Sequence, residues 1–143
     1  MSGDGSVVFV VDDDPSVREA LDSLLRSAGI TVRTFASTAE FMQADRDAGA
    51  ACLVLDVRMP DVNGLDFQKH LVAAGIDLPI IFITAHGDIR MSVRAMKAGA
   101  VEFLTKPFDD QQLIDTICAA LRSDREQRQF ACPRQKAVTL VNV

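Results

Sequence analysis

Residues 53–64 read Leu53-Val54-Leu55-Asp56-Val57-Arg58-Met59-Pro60-Asp61-Val62-Asn63-Gly64. A short apolar run of this kind reads as a buried strand, and it stops at a carboxylate before a Pro/Asn/Gly turn. Asp56 is thereby placed at the C-terminal end of a strand, the edge at which open α/β sheets bind ligands. A lone Asp in such a place is ordinarily a turn or cap residue. What lifts Asp56 above that reading is the set of groups at the other strand ends.

Upstream, Val7-Val8-Phe9-Val10-Val11 is a continuous, β-branched apolar run, the pattern of a strand buried on both faces. It ends at Asp12-Asp13-Asp14-Pro15, where Asp14 suits an N-cap and Pro15 the first helical position. The helix that follows carries Val17, Ala20, Leu21, Leu24, Leu25 and Ala28 on one stripe and closes at Gly29. Thr31 to Phe35 alternates as a second strand, and Ser37-Thr38-Ala39-Glu40 is a capping box for a second helix. Downstream of the central stretch, a helix runs through Leu71 and Val72, and Ile80 to Thr84 reads as a fourth buried strand. Asp88 suits the cap of a fourth helix ending at Gly99. Val101 to Thr105 reads as a fifth strand before Lys106-Pro107, and Asp109 or Asp110 caps a last helix with Leu113, Ile114, Ile117, Cys118 and Leu121 on its stripe.

Strand and helix patterns therefore alternate five times with short connections, which predicts a parallel sheet covered by helices on both faces. Five βα units are too few for a closed eight-stranded barrel, so the α/β sheet is read as open and doubly wound. The domain is placed at 6–122, after a frayed lead at 1–5. Residues 123–143 are read as an extension or linker remnant: Ser123 to Gln129 prolong the last helix, Pro133 breaks it, and Ala137 to Val143 form a strand-like tail. These roughly twenty residues fall well below the ~50 of an independent domain, and no output domain is expected among them.

Composition narrows the function classes. With 143 residues, 48% of them hydrophobic, the chain suffices for one domain with a full core. A net charge of −5 argues against direct binding to nucleic acid, whose phosphates require a basic face. No signal peptide or membrane span is read, and Cys52, Cys118 and Cys132 form no disulfide framework, which suits a reducing, cytoplasmic setting. Cys52 and Cys118 are read as small buried hydrophobes. His70 and His86 have no neighbouring Cys, so zinc is not expected.

A parallel sheet brings Asp12 and Asp13, Asp56, Thr84 and Lys106 to one edge. Three crowded carboxylates repel one another unless a cation sits among them, and hard oxygen ligands favour magnesium. A carboxylate beside a cation, an ammonium and a hydroxyl is equipped to accept a phosphoryl group.

Val-Asp-Asp-Asp-Pro at 11–15, Leu-Asp-Val-Arg-Met-Pro at 55–60 with Gly64, Ile-Thr-Ala at 83–85 and Lys-Pro at 106–107 together resemble the receiver domains of two-component response regulators. The resemblance runs from about Val7 to Leu121. The Asp-Asp-Asp-Pro-Ser-Val-Arg start and the Lys-Pro-Phe end resemble the FixJ-type (NarL/LuxR-class) receivers in particular.

The resemblance implies a CheY-like fold with strand order 2-1-3-4-5. It implies Asp56 as phosphoacceptor for a sensor histidine kinase, with magnesium (or manganese) held by Asp13, Asp56, Asp12 through water and the Arg58 backbone carbonyl. Lys106, followed by a cis bond to Pro107, pairs with the acceptor and then the phosphate. Thr84 and Phe103 act as the switch pair that remodels the face of the fourth helix, fifth strand and fifth helix, the expected site of a phosphorylation-dependent homodimer. Arg58, Ala85 and His86 are expected to tune phosphate lifetime, and the output to be transcriptional. The competing readings are a stand-alone or phosphate-independent interaction module and a haloacid-dehalogenase-like phosphohydrolase. The last requires a second Asp two residues after the nucleophile, where this sequence has Arg58.

Overall fold

The computed structural model describes residues 6–44, 49–59, 62–85 and 89–140, with side chains described to residue 127. The lead at 1–5, His86, the expected cap Asp88, the side chain of Cys132 and residues 141–143 lie outside the described residues. Ten elements alternate: β1 (Val7–Val11), α1 (Pro15–Ser27), β2 (Val32–Phe35), α2 (Thr38–Gln43), β3 (Ala51–Asp56), α3 (Gly64–Ala73), β4 (Ile80–Thr84), α4 (Ile89–Lys97), β5 (Glu102–Thr105) and α5 (Asp110–Leu140). The five strands pair in parallel in the order β2-β1-β3-β4-β5, as expected.

The period-two geometry of a strand sorts the apolar residues into two cores. Val7, Phe9, Val11, Leu53, Leu55 and Phe82 point to one face, where they meet Phe41 of α2 and Phe67 and Leu71 of α3. Val8, Val10, Val54, Ile81 and Ile83 point to the other, where they meet Leu21 and Leu25 of α1 and Leu113, Ile117 and Leu121 of α5. The first core is aromatic: Phe9, Phe35 and Phe41 form a triangle of ring pairs 5.4–6.2 Å apart. The second is almost wholly aliphatic.

Local side-chain chemistry sets the helix ends. The Asp14 carboxylate accepts the Ser16 N–H at 2.9 Å with Pro15 opening α1, and Gly29 at φ 80° follows its end. Ser37 Oγ accepts the Glu40 N–H at 3.2 Å, while Glu40 Oε1 reaches back to the Ala36 N–H at 3.0 Å. Between the two candidates at α5, Asp109 is the cap, accepting the Gln111 N–H at 3.1 Å, and Asp110 is the first helical residue.

Two expectations about α5 are corrected. Cys118 is exposed, because the buried stripe is Leu113, Ile117, Ala120 and Leu121 and Cys118 falls one residue (about 100°) to its side. Pro133 does not end the helix, which continues to Leu140, so residues 137–140 are helical rather than strand-like. A proline removes one backbone hydrogen bond and crowds the preceding turn. Here Arg, Gln, Ala and Lys, all good helix formers, flank it on both sides.

The helix also passes through position 122 with contacts back to the sheet. Asp124, 3% exposed, accepts the Ala51 N–H at 2.8 Å, and Arg125 Nη2 donates to Ser6 Oγ at 3.0 Å. Neighbouring residues of α5 thus bind the entrances of β3 and β1, at the sheet edge opposite Asp56. Burial, and then the Asp124 charge, push the Cys52 thiol well above its ordinary value, which keeps it protonated and unreactive inside β3. Asp124→Ala leaves the buried Ala51 N–H unpaired and is expected to lower unfolding stability by about 1–3 kcal/mol. Asp124→Asn, which retains an acceptor oxygen, should lose less; urea denaturation of the two variants beside the wild type measures both.

Candidate functional site at the strand ends

Each strand delivers its last residue to one edge. β1 ends at Val11, and the next residue, Asp12, is fully buried with its N–H donating to Phe35 O of β2 at 3.1 Å. All its other polar atoms are engaged as well. Oδ1 accepts the Asp14 N–H at 2.9 Å, Oδ2 accepts Lys106 Nζ at 3.0 Å, and the main-chain carbonyl accepts Arg18 Nη1 at 2.7 Å. Asp13, beside it, is exposed. Asp56 closes β3, and its Oδ1 accepts the Arg58 N–H at 3.1 Å, a turn that fixes the carboxylate at the edge. Thr84 closes β4 and is fully buried; its main-chain carbonyl accepts the Lys106 N–H at 2.8 Å and so binds the end of β5 to β4. The peptide bond from Lys106 to Pro107 is cis.

The five groups singled out in the sequence therefore meet. Oxygens of Asp12, Asp13 and Asp56 lie within 4.8 Å of one another. Asp13, Asp14, Asp56, Arg58, Thr84, Ala85 and Lys106 line an open cleft of about 320 Å³. The ammonium of Lys106 lies 3.0 Å from Asp12 and 3.6 Å from Asp56, so it pairs with Asp56 as the sequence reading expected and, more closely, with Asp12. Three carboxylates this close, Asp13 and Asp56 at the open cleft and Asp12 buried beside them, have the oxygen chemistry that fits a hard divalent cation.

Asp56 titrates against this background. Burial raises its carboxyl above the ordinary 3.8, and the charges of Asp12 and Asp13 act in the same direction, against the opposing pull of Lys106 and the Arg58 N–H. Phe103 of β5 is partly buried, packed on the aromatic core with its ring 6.1 Å from Phe82.

Gly64 opens α3 directly against the main chain of Asp56 and Val57. Its N–H donates to Val57 O at 2.7 Å, and a Cβ there would lie 2.8 Å from Asp56 O and 2.9 Å from Val57 Cα. Only glycine fits so close to the main chain. Asn63 caps the helix, accepting the Leu65 N–H at 2.7 Å.

Two site residues were not assigned by the sequence reading. Asp14 lines the cleft as well as capping α1. Arg18 holds the Asp12 carbonyl from the first turn of that helix. Arg18 stands in a quoted motif, but nothing in its spacing tells a solvated arginine from one folded back over the helix start.

The chain belongs to the response regulator receiver domain family, which matches residues 8–118. It is similar to Nodulation protein W of Bradyrhizobium diazoefficiens, 52% identical over 124 residues that make up 87% of this chain and 55% of that protein. Among solved structures it is similar to the response regulator StyR, with 51% identity and a TM-score of 0.85 over 94% of this chain and 68% of that one. It is also similar to FixJ-N, with 40% identity and a TM-score of 0.75 over 82% of this chain and 94% of that one. These likenesses agree with the FixJ-type motifs of the sequence, and the chain is a receiver module of two-component signalling. It spans little more than half the length of the curated relatives it matches.

The raised carboxyl of Asp56 has a stability consequence. Between 3.8 and its raised value the folded chain holds more protons than the unfolded one, so stability falls as pH rises through that window. Above that window the folded chain bears the cost of holding a carboxylate at this place. Asp56→Asn is expected to raise the thermal midpoint in chelator-treated neutral buffer. The advantage should shrink as pH is lowered toward 3.8, where the wild-type carboxyl is neutral as well; a pH series of melting curves measures it.

Proposed function

We propose that this chain is a phosphorylation switch in which Asp56 receives a phosphoryl group from a sensor histidine kinase. The observation that carries the reading is the convergence of Asp12, Asp13 and Asp56 within 4.8 Å, with the Lys106 ammonium between two of them at an open cleft. A carboxylate oxygen of Asp56 forms the new O–P bond as the N–P bond of the donor phosphohistidine breaks, and the freed imidazole takes its proton from solvent. Lys106, already 3.6 Å from Asp56, keeps hold of the phosphorylated side chain by a charge-assisted contact. Thr84, at the end of β4 and lining the same cleft, donates its hydroxyl to a phosphate oxygen.

Asp13 and Asp56, assisted by Asp12 and the Arg58 carbonyl, are the residues to hold magnesium or manganese. Such a cation supplies positive charge against the carboxylates and the incoming phosphoryl group. Arg58 and Ala85, both lining the cleft, govern access to the phosphate and hence its lifetime, together with His86.

Phosphorylation repositions Thr84 and Phe103 and thereby the face of α4, β5 and α5. Ile89, Val93 and Met96 stand exposed at i, i+4 and i+7 on α4, with Val101 exposed just before β5. An apolar stripe of this spacing suits a second copy of the chain, giving a phosphorylation-dependent homodimer. FixJ of Azorhizobium caulinodans is named a transcriptional regulatory protein, which supports a transcriptional output for this chain in a cytoplasmic two-component pathway. No helix of the described residues is long and apolar enough to cross a membrane.

Incubation with magnesium and acetyl phosphate is expected to add one phosphoryl group by intact mass, and none to Asp56→Asn. Magnesium alone is expected to raise the wild-type thermal midpoint and to raise that of Asp13→Asn much less, since a ligand of the folded state stabilises it by mass action. A wild-type chain that gains no mass, and is unmoved by magnesium, would rule the switch out.

A further inference from the structure

Helix α4 is held to the domain by few buried groups. Of its residues Ala95 is buried, Met91 packs partly against the aromatic core, and Ile89, Val93 and Met96 face outward. Gln68 of α3 reaches across to it. Its Nε2 donates to the Ala95 carbonyl at 3.2 Å in a buried setting. That carbonyl already accepts the Ala100 N–H at 3.0 Å, so Gln68 fills its second lone pair. Because a carbonyl accepts and cannot donate, the amide must present its nitrogen there. Its Oε1, in a side chain only 2% exposed, has no partner among the described residues.

The opposite end of this connection is Asp56. Gly64 packs against the Asp56 and Val57 main chain so closely that a methyl group would not fit. Gln68 lies four residues further along α3, about one helical turn. One turn of rigid helix therefore joins the back of the acceptor loop to a bond on the element that carries the exposed apolar stripe. A half-satisfied buried amide grips weakly, since the unpaired oxygen offsets much of what the donated bond contributes.

We infer that Gln68 is an interhelical latch: it positions α4 through the Ala95 carbonyl and is poised to let go when the first turn of α3 shifts. The trigger for that shift rests on the phosphoacceptor reading of Asp56; the latch itself is a property of the unmodified chain. Packed helices have discrete rather than continuous positions, so loss of one interhelical bond shifts a population between them. The face that α4 presents then depends on a residue that touches neither the phosphate site nor the partner.

The test is residue-resolved amide hydrogen exchange on the whole unphosphorylated chain, comparing wild type with Gln68→Met and Gln68→Glu. Methionine keeps the length and apolar volume without hydrogen-bonding groups, and an ionised glutamate keeps acceptors but loses the donor. Exchange in α4 is expected to quicken about twofold in Gln68→Met, the low end of one hydrogen bond's net worth because the unpaired oxygen is removed with it, with α1 and α5 unchanged. Gln68→Glu, if folded, should loosen α4 at least as far. Unchanged α4 exchange in Gln68→Met, or an equal rise in α1 and α5, overturns the latch. Wild-type protein that takes no phosphoryl group from acetyl phosphate would overturn the phosphoacceptor reading instead, with the exchange result for α4 left standing.

Discussion

Parallel strands deliver their carboxyl ends to one edge of a sheet, and here that edge gathers Asp12, Asp13 and Asp56 within 4.8 Å. Mutual repulsion at such spacing, with Asp12 fully buried and Asp56 nearly so, works against the folded state. The surrounding structure answers that repulsion in several ways. Lys106 lies against two of the carboxylates, backbone N–H groups of Asp14 and Arg58 donate to them, and the Arg18 guanidinium sits on the Asp12 carbonyl. Arg18 brings positive charge to the edge without occupying a carboxylate oxygen. The answer is incomplete, because the Asp56 carboxyl remains raised. An edge left electrostatically unsatisfied is one that gains by taking up a cation.

The two faces of the sheet divide the remaining work. The aliphatic face packs α1 and α5 against interdigitating Val, Ile and Leu side chains. The face under α2, α3 and α4 is built from phenylalanines in tilted and edge-on pairs, with Phe103 and Phe82 continuing it toward β5. Interlocked rings leave that face with fewer independent ways to pack. A displacement of one ring must then be taken up by its neighbours.

Much of this was legible in the sequence, and for identifiable reasons. The strands are continuous apolar runs because a doubly covered parallel sheet hides both faces, so Val7–Val11 and Ile80–Thr84 stand out without any alternation. The caps at Asp14 and Ser37 were legible because local chemistry decides them. The strand-end residues were legible because topology alone brings them together. What escaped depends on long-range partners. Asp124 sits in a run of charged residues and nothing local distinguishes it from a solvated neighbour, yet its partner is the N–H of Ala51, 73 residues away. Gln68 reads as one more polar residue in an amphipathic helix. Cys118 was misjudged because an apolar stripe in sequence is wider than the face that the sheet covers. Pro133 was misjudged because a helix with good formers on both sides carries a residue that would end a weaker one.

The Asp124 contact bears on how modules of this kind are recombined. Family likeness covers residues 8–118, and the charged composition begins just beyond, so a splice anywhere near 120 looks harmless. Yet such a cut would separate β3 and β1 from the two side chains that close their open ends. The unit that can be transplanted onto a foreign effector is longer than the one that can be recognised. In chimeras built from this chain, the donor segment should extend past Arg125 so that both contacts travel with it.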